Sequence, residues 1–245
     1  MFKEYLLLLL LGHILGDFYT QTDKIAEKKK NSLIWVLKHC LNYFITIIIV
    51  SIPVISPKIF LLDVISAFLH GLIDIIKYLY LKHAKKAIPS MFLIVQSLHL
   101  LCLLAVSYIG TKYNIQLNEQ PIIQEIFKTV GVSEINVCKW LLGLLIIHKP
   151  ANILIQDFIS TYKPKANDME IKADNNIGRV IGTVERVIML MLISMKQYSA
   201  IGLVLTAKSI ARYDRISKDE KFAEYYLLGT LLSTGIVIIC SVLLF

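Results

Sequence analysis

Four stretches in the first hundred residues set polar and ionisable groups into otherwise apolar runs: His13-x3-Asp17, His39, His70-x3-Asp74-x2-Lys77 and Gln96-x2-His99. Residues four apart stack on one helix face. His13 with Asp17, and His70 with Asp74, would each present an imidazole and a carboxylate together. Those are ligands that zinc, manganese and iron(II) accept. An ion so held lowers the pKa of a bound water and polarises a phosphoryl or carbonyl oxygen. The candidate metal ligands are therefore His13, Asp17, His70, Asp74 and His99; His39 is either a further ligand or an interfacial histidine facing water. Lys77, one turn beyond Asp74, is placed to bind a lipid phosphate or a developing anion, and Gln21 or Gln96 to orient substrate.

The elements that must carry these groups are membrane spans. The 245 residues are 56% hydrophobic and only 18% charged, with a mean hydropathy of +0.64, more apolar than a soluble domain of this length. About 20 mostly apolar residues cross a bilayer as helix, and unpaired backbone groups cannot be left in lipid. The apolar runs are continuous rather than alternating, which excludes a barrel. We expect an all-α, polytopic transmembrane helical bundle of about eight spans at 5–21, 33–52, 59–81, 89–109, 138–158, 177–195, 199–211 and 225–245. The first is read as a retained span, because no small-residue cleavage pattern follows it. Two four-helix halves result: a domain at 1–110 carrying the His/Asp site, an outer loop at 111–136 with a short amphipathic surface helix, and a C-terminal domain at 137–245. The polar stretch 160–176 reads as a loop, and Pro89 as a helix start.

Charge sets the orientation. Of 26 lysines and arginines, 18 gather in or beside four linkers, the positive-inside pattern. The net charge of +8 is then a topology signal, not a nucleic-acid surface. Both termini are expected outside the cytoplasm, in an inner membrane, with lipids as partners. On this topology His13, Asp17, His39, His70, Asp74, Lys77, Gln96 and His99 all fall in the cytoplasmic half. Cys40, Cys102, Cys138 and Cys240 have no paired ligand spacing and behave as small hydrophobes.

The second half carries Glu185, Arg186, Lys208, Arg212 and Glu224 on its helices. Charges inside spans need partners, and the expected pairs are Glu185 with Lys208 or Arg212, and Arg186 with Glu224. Gly202, Gly229 and Gly235 are expected to let helices approach closely. His148, Asn152 and Gln156 repeat the four-residue steps of His13, Asp17 and Gln21, as a parallel transporter repeat would.

Leu11-Gly12-His13-Ile14-Leu15-Gly16-Asp17-Phe18 with Gln21 and Lys28, then His39, His70-x3-Asp74-x2-Lys77 and Gln96-x2-His99, resembles the bacterial "domain of unknown function 3307" membrane proteins over about residues 1–110. That family typically has Asp where this chain has Val95. The segment 178–233 is similar to an extra region of longer members. The resemblance implies no activity. A looser similarity in the His/Asp pattern is to inner-membrane metal-dependent hydrolases. The function expected is a metal-dependent hydrolase acting on a lipid-linked or phosphorylated substrate at the cytoplasmic side. The alternatives are an ion- or proton-coupled transporter, and a scaffold whose polar groups tie helices together.

Overall fold

A computed structural model describes residues 2–84, 91–159 and 168–245, with the backbone alone at residues 23 and 168–176. Every regular element among them is helical. In order these are α1 (Phe2–Ile14, continued by a π-turn at Leu15–Tyr19), α2 (Asp23–Lys28), α3 (Leu33–Ser51), α4 (Pro57–His83) and α5 (Met91–Lys112). There follow α6 (Pro121–Val130), α7 (Glu134–Ile159), α8 (Asp168–Ser194), α9 (Tyr198–Ala211), α10 (Tyr213–Lys218) and α11 (Glu220–Leu244).

Among the described residues five helices are long and apolar enough to cross a membrane: Leu33–Val54, Pro57–His83, Met91–Lys112, Glu134–Ile159 and Glu220–Leu244. The expected spans at 5–21, 177–195 and 199–211 are helical but do not meet that measure. The π-turn interrupts α1 after 13 residues. Helix α9 has 14 residues, about 21 Å of rise against about 30 Å of hydrocarbon. Helix α8 begins at Asp168, so the loop expected at 160–176 is helical from that residue on; residues 160–167, like Pro89, lie outside the described residues.

Local chemistry sets the helix ends. The Ser56 hydroxyl accepts the Ile59 N–H at 3.3 Å with Pro57 at the first helical position, a preorganised start. The Asp219 carboxylate accepts from Phe222 N–H at 3.1 Å to open α11. Gly131 stops α6 in the left-handed region at φ 72°, returning its N–H to Phe127 O at 2.9 Å.

The chain divides into compact units at Met1–Leu142 and Gly143–Phe245, the division falling inside α7. In the first, α1, α3, α4 and α5 enclose a core of Tyr5, Leu9, Tyr43, Ile47, Ile59, Leu62, Leu103 and Val106. Their outward faces are apolar as well: Leu41, Ile45 and Ile49 on α3 and Phe68, Leu72 and Ile76 on α4 are exposed at helical spacing. Apolar stripes outside and imidazoles and carboxylates inside is the distribution of a protein solvated by lipid. Helix α6 has no buried residue and exposes Ile122, Ile126 and Val130 along one face, the pattern of a helix lying in a membrane surface.

Candidate functional site

Close helix packing makes the site. Gly12 faces Ile47, Gly16 faces Tyr43, and Asp17 meets His39, so α1 and α3 run antiparallel. A Cβ on Gly16 would lie 2.8 Å from Tyr43 Cδ2, and one on Gly12 would lie 3.3 Å from Ile47 Cγ1. The two glycines are a small-x3-small stripe that lets backbones approach. A Cβ on Gly71 of α4 would meet Cys40 Sγ of α3 at 3.4 Å. Helix α3 is thus packed tightly against both α1 and α4, and His39 lies in the interior, fully buried.

The π-turn aims Asp17. The Thr20 N–H reaches Leu15 O, five residues back, at 2.9 Å. Such widened turns are frequent at functional sites. Asp17 lies at its centre and is buried.

Around these helices the polar groups converge. His39 Nε2 lies 3.2 Å from His70 Nε2, 3.2 Å from Asp17 Oδ1 and 3.4 Å from Asp74 Oδ2. An imidazole nitrogen carries at most one hydrogen, so hydrogen bonding cannot satisfy all three contacts. Donor atoms bound tetrahedrally at about 2.0–2.1 Å from a zinc ion stand about 3.3 Å apart. The three separations match that spacing. Asp17, His39 and His70 offer ligand atoms within 4.8 Å of one another, and so do His13, His70 and His99. His70 belongs to both groups.

Neighbouring side chains hold these ligands in place. The Gln96 amide donates to Asp17 Oδ2 at 2.6 Å, since a carboxylate accepts. That orientation turns Gln96 Oε1 to His13 Nε2 at 3.1 Å, which must donate. His13 Nδ1 is then the atom left for a ligand, with the Tyr43 hydroxyl 3.3 Å away. The Tyr43 ring lies flat on His70, centroids 3.6 Å apart at 4°. Both nitrogens of His99, and Nδ1 of His39 and of His70, have no hydrogen-bond partner among the described residues although buried. Buried polar atoms without partners demand a reason; an ion supplies one.

The structure therefore brings together His13, Asp17, His70, His99 and Gln96, with Asp74 at the edge, outside both ligand groups. Lys29 Nζ holds the Asp74 carboxylate at 3.1 Å. Lys77 is half-buried one turn on, within electrostatic range of Lys29, Lys30 and Asp74. Gln21 is partly buried just past the π-turn. His39 does not face water; it is the hub of the cluster, and only the packing at Gly16 and Gly71 places it there. Lys29 and Tyr43 carried no sequence signal beyond charge and apolarity. Val95, where the family pattern has Asp, is buried, and Gln96 beside it makes the polar contacts.

In the second unit the Lys208 ammonium donates to Glu185 Oε2 at 2.6 Å, as expected. Arg186 is not paired with Glu224, which is exposed. Its Nε donates to Ile147 O at 2.6 Å, and its Nη atoms donate to Asn152 Oδ1 at 2.6 Å, Ser233 Oγ at 3.1 Å and Thr183 Oγ1 at 3.1 Å. Pro150 inside α7 removes a helix donor and opens the ladder nearby, and Arg186 binds a carbonyl in that turn. Asn152, the counterpart of Asp17 in the expected repeat, thus serves an arginine. Arg212 caps the end of α9. Among the described residues nothing lies within 4 Å of where a Cβ on Gly202 or Gly235 would sit, so neither mediates a close approach there. Gly143 does, facing Leu244 at 3.3 Å and Leu190 at 3.5 Å.

Residues 5–126 match the model of a family described as "Protein of unknown function (DUF3307)". No curated protein and no solved structure matches the chain.

Proposed function

Through residues 5–126 this chain belongs to the DUF3307 family, whose description assigns no activity, and we propose from its buried cluster that it is a membrane-embedded metalloprotein acting as a hydrolase. The observation that carries the reading is the crowding of His39 Nε2 by His70, Asp17 and Asp74 at 3.2–3.4 Å. A divalent cation of the zinc, manganese or iron(II) class relieves it, and one hydrogen cannot.

Three protein ligands with a position left to water are the catalytic rather than the structural pattern for zinc. When bound, the ion would acidify that water and polarise an ester or phosphoryl oxygen. Gln96 keeps Asp17 and His13 oriented, and Tyr43 keeps His70 oriented. Lys77, Lys29 and Lys30 gather positive charge beside Asp74, which supports a phosphorylated or lipid-linked anion as substrate. The finer reading is an eight-span protein of the bacterial inner membrane, termini outside and the site in the cytoplasmic half.

The test is metal analysis of the full chain purified in detergent and reconstituted with zinc, manganese or iron(II). About one ion per chain, lost in His39→Ala and His70→Ala with folding retained, is expected. A wild type that binds none of the three ends the reading.

His70 belongs to both ligand groups, and this favours a second reading, in which an ion steps between them during transport. Metal-dependent flux into liposomes, without product release, would select it.

A further inference from the structure

The helices that build the His/Asp cluster repeat a polar layer two turns away. Stepping by four residues from His13 along α1 leads through Leu9 to Tyr5; along α3, Tyr43 leads through Ile47 to Ser51. On α4 and α5 the same direction leads from His70 past Ala67 to Asp63, and from His99 through Leu103 to Ser107. Contacts fix this register. Tyr5 meets Asp63 and the His13 ring sits 5.6 Å from His70, so α1 and α4 run parallel. His99 packs on His70 while Leu103 and Val106 join Ile59 and Leu62, so α5 runs antiparallel to α4. Two turns of helix separate the layers by about 11 Å, and buried Leu9, Ile47, Ala67 and Leu103 fill the space between.

The centre of the second layer is Asp63, fully buried in a span. The Tyr5 hydroxyl donates to its Oδ1 at 2.9 Å, and the Ser51 hydroxyl lies beside the carboxyl. Among the described residues no charged side chain acts on it, and those two hydroxyls are the groups hydrogen-bonded to it. Asp63 Oδ2 and Ser107 Oγ on α5 are buried with no hydrogen-bond partner among the described residues, whereas Ser66, one turn along α4, turns its hydroxyl to Tyr43. A lone carboxylate cannot stay uncompensated in a membrane interior, and unpartnered buried oxygens call for a ligand.

We propose that Asp63, with the hydroxyls of Tyr5, Ser51 and Ser107, forms a second site that binds a hard monovalent cation of the sodium class. The donor set contains only oxygen, the choice of hard cations and unlike the imidazole-rich cluster. One carboxylate balances one charge, which suits a monovalent ion over calcium or magnesium. The proposal stands on the packing of α1, α3, α4 and α5 and is independent of the transition-metal reading.

Thermal unfolding of the full chain in detergent tests it, comparing sodium chloride with choline chloride at equal ionic strength. Wild type should gain a saturable rise in Tm with sodium. Asp63→Asn should lose the rise while binding zinc like wild type. Ser107→Ala, which preserves packing, should raise the sodium concentration at half effect about tenfold. If Asp63→Asn does not fold, Ser107→Ala carries the test. Equal Tm in sodium and choline, meaning that only water or a proton occupies the oxygens, overturns the proposal. So does a sodium response undiminished in the variants.

Discussion

Replacing Gly16 with alanine tests the packing that assembles the site. The added Cβ would sit 2.8 Å from Tyr43 Cδ2, against a comfortable carbon–carbon contact of about 3.5–4.0 Å, so the ring must retreat by about 0.7 Å or more. Tyr43 has little freedom to do so. It is fully buried, stacked on His70 at 3.6 Å and 3.3 Å from His13 Nδ1. A shift along the stack presses on His70, and a shift away stretches the contact to His13. Overpacking of this kind costs about 1–3 kcal/mol, which in a chain this size lowers Tm by roughly 3–10 °C. Disturbing a residue that orients ligands should weaken metal binding by about 10–100-fold. The assay pairs thermal unfolding with zinc titration in detergent. Gly202→Ala is the control: it fills open space on an exposed face of α9, and helix propensity favours it by up to about 1 kcal/mol. Gly16→Ala matching wild type in both Tm and zinc affinity would refute the reasoning, since the close approach would then not position Tyr43 or its neighbours.

Further expectations concern single contacts. Lys29→Met releases Asp74, whose Oδ2 already lies 3.4 Å from His39 Nε2, to join the ligands; zinc should bind several-fold tighter, read by calorimetry. Chelator treatment of the metal-loaded protein should lower Tm, and added zinc should restore it, because binding free energy adds to folding free energy. Arg186→Leu strands the Ile147 carbonyl and Asn152 Oδ1, each a loss of about 1–3 kcal/mol, whereas Arg186→Lys, which lacks the planar fork, should recover only part. Lys208→Met leaves Glu185 without the ammonium it holds at 2.6 Å; the double variant Glu185→Gln, Lys208→Met should unfold at a higher temperature than Lys208→Met alone.

Much of this protein is legible in one dimension. Continuous apolar runs dictate helices, and the four-residue steps from His13 to Asp17 and from His70 to Asp74 put each pair on one face, because helical periodicity is a property of the local chain. The polarity of those faces marks them as inward, since lipid does not solvate imidazole or carboxylate. What a linear pattern does not carry is the direction in which a neighbouring helix turns. His39 reads as either a further ligand or an interfacial residue until Gly16 and Gly71 draw α3 close, and then it becomes the hub. The spacing of Asp74 from His70 gives no sign that Lys29 folds back onto its carboxylate. Arg186 finds neutral acceptors by the Pro150 turn instead of Glu224, and Gly202 meets open space where Gly12 meets Ile47. The Asp63 layer is visible only once four helices are in register, because its oxygens come from four helices spread between Tyr5 and Ser107. Secondary structure and burial follow from spacing and solvation along the chain; partner choice follows from helix azimuth and depth, which close packing alone decides.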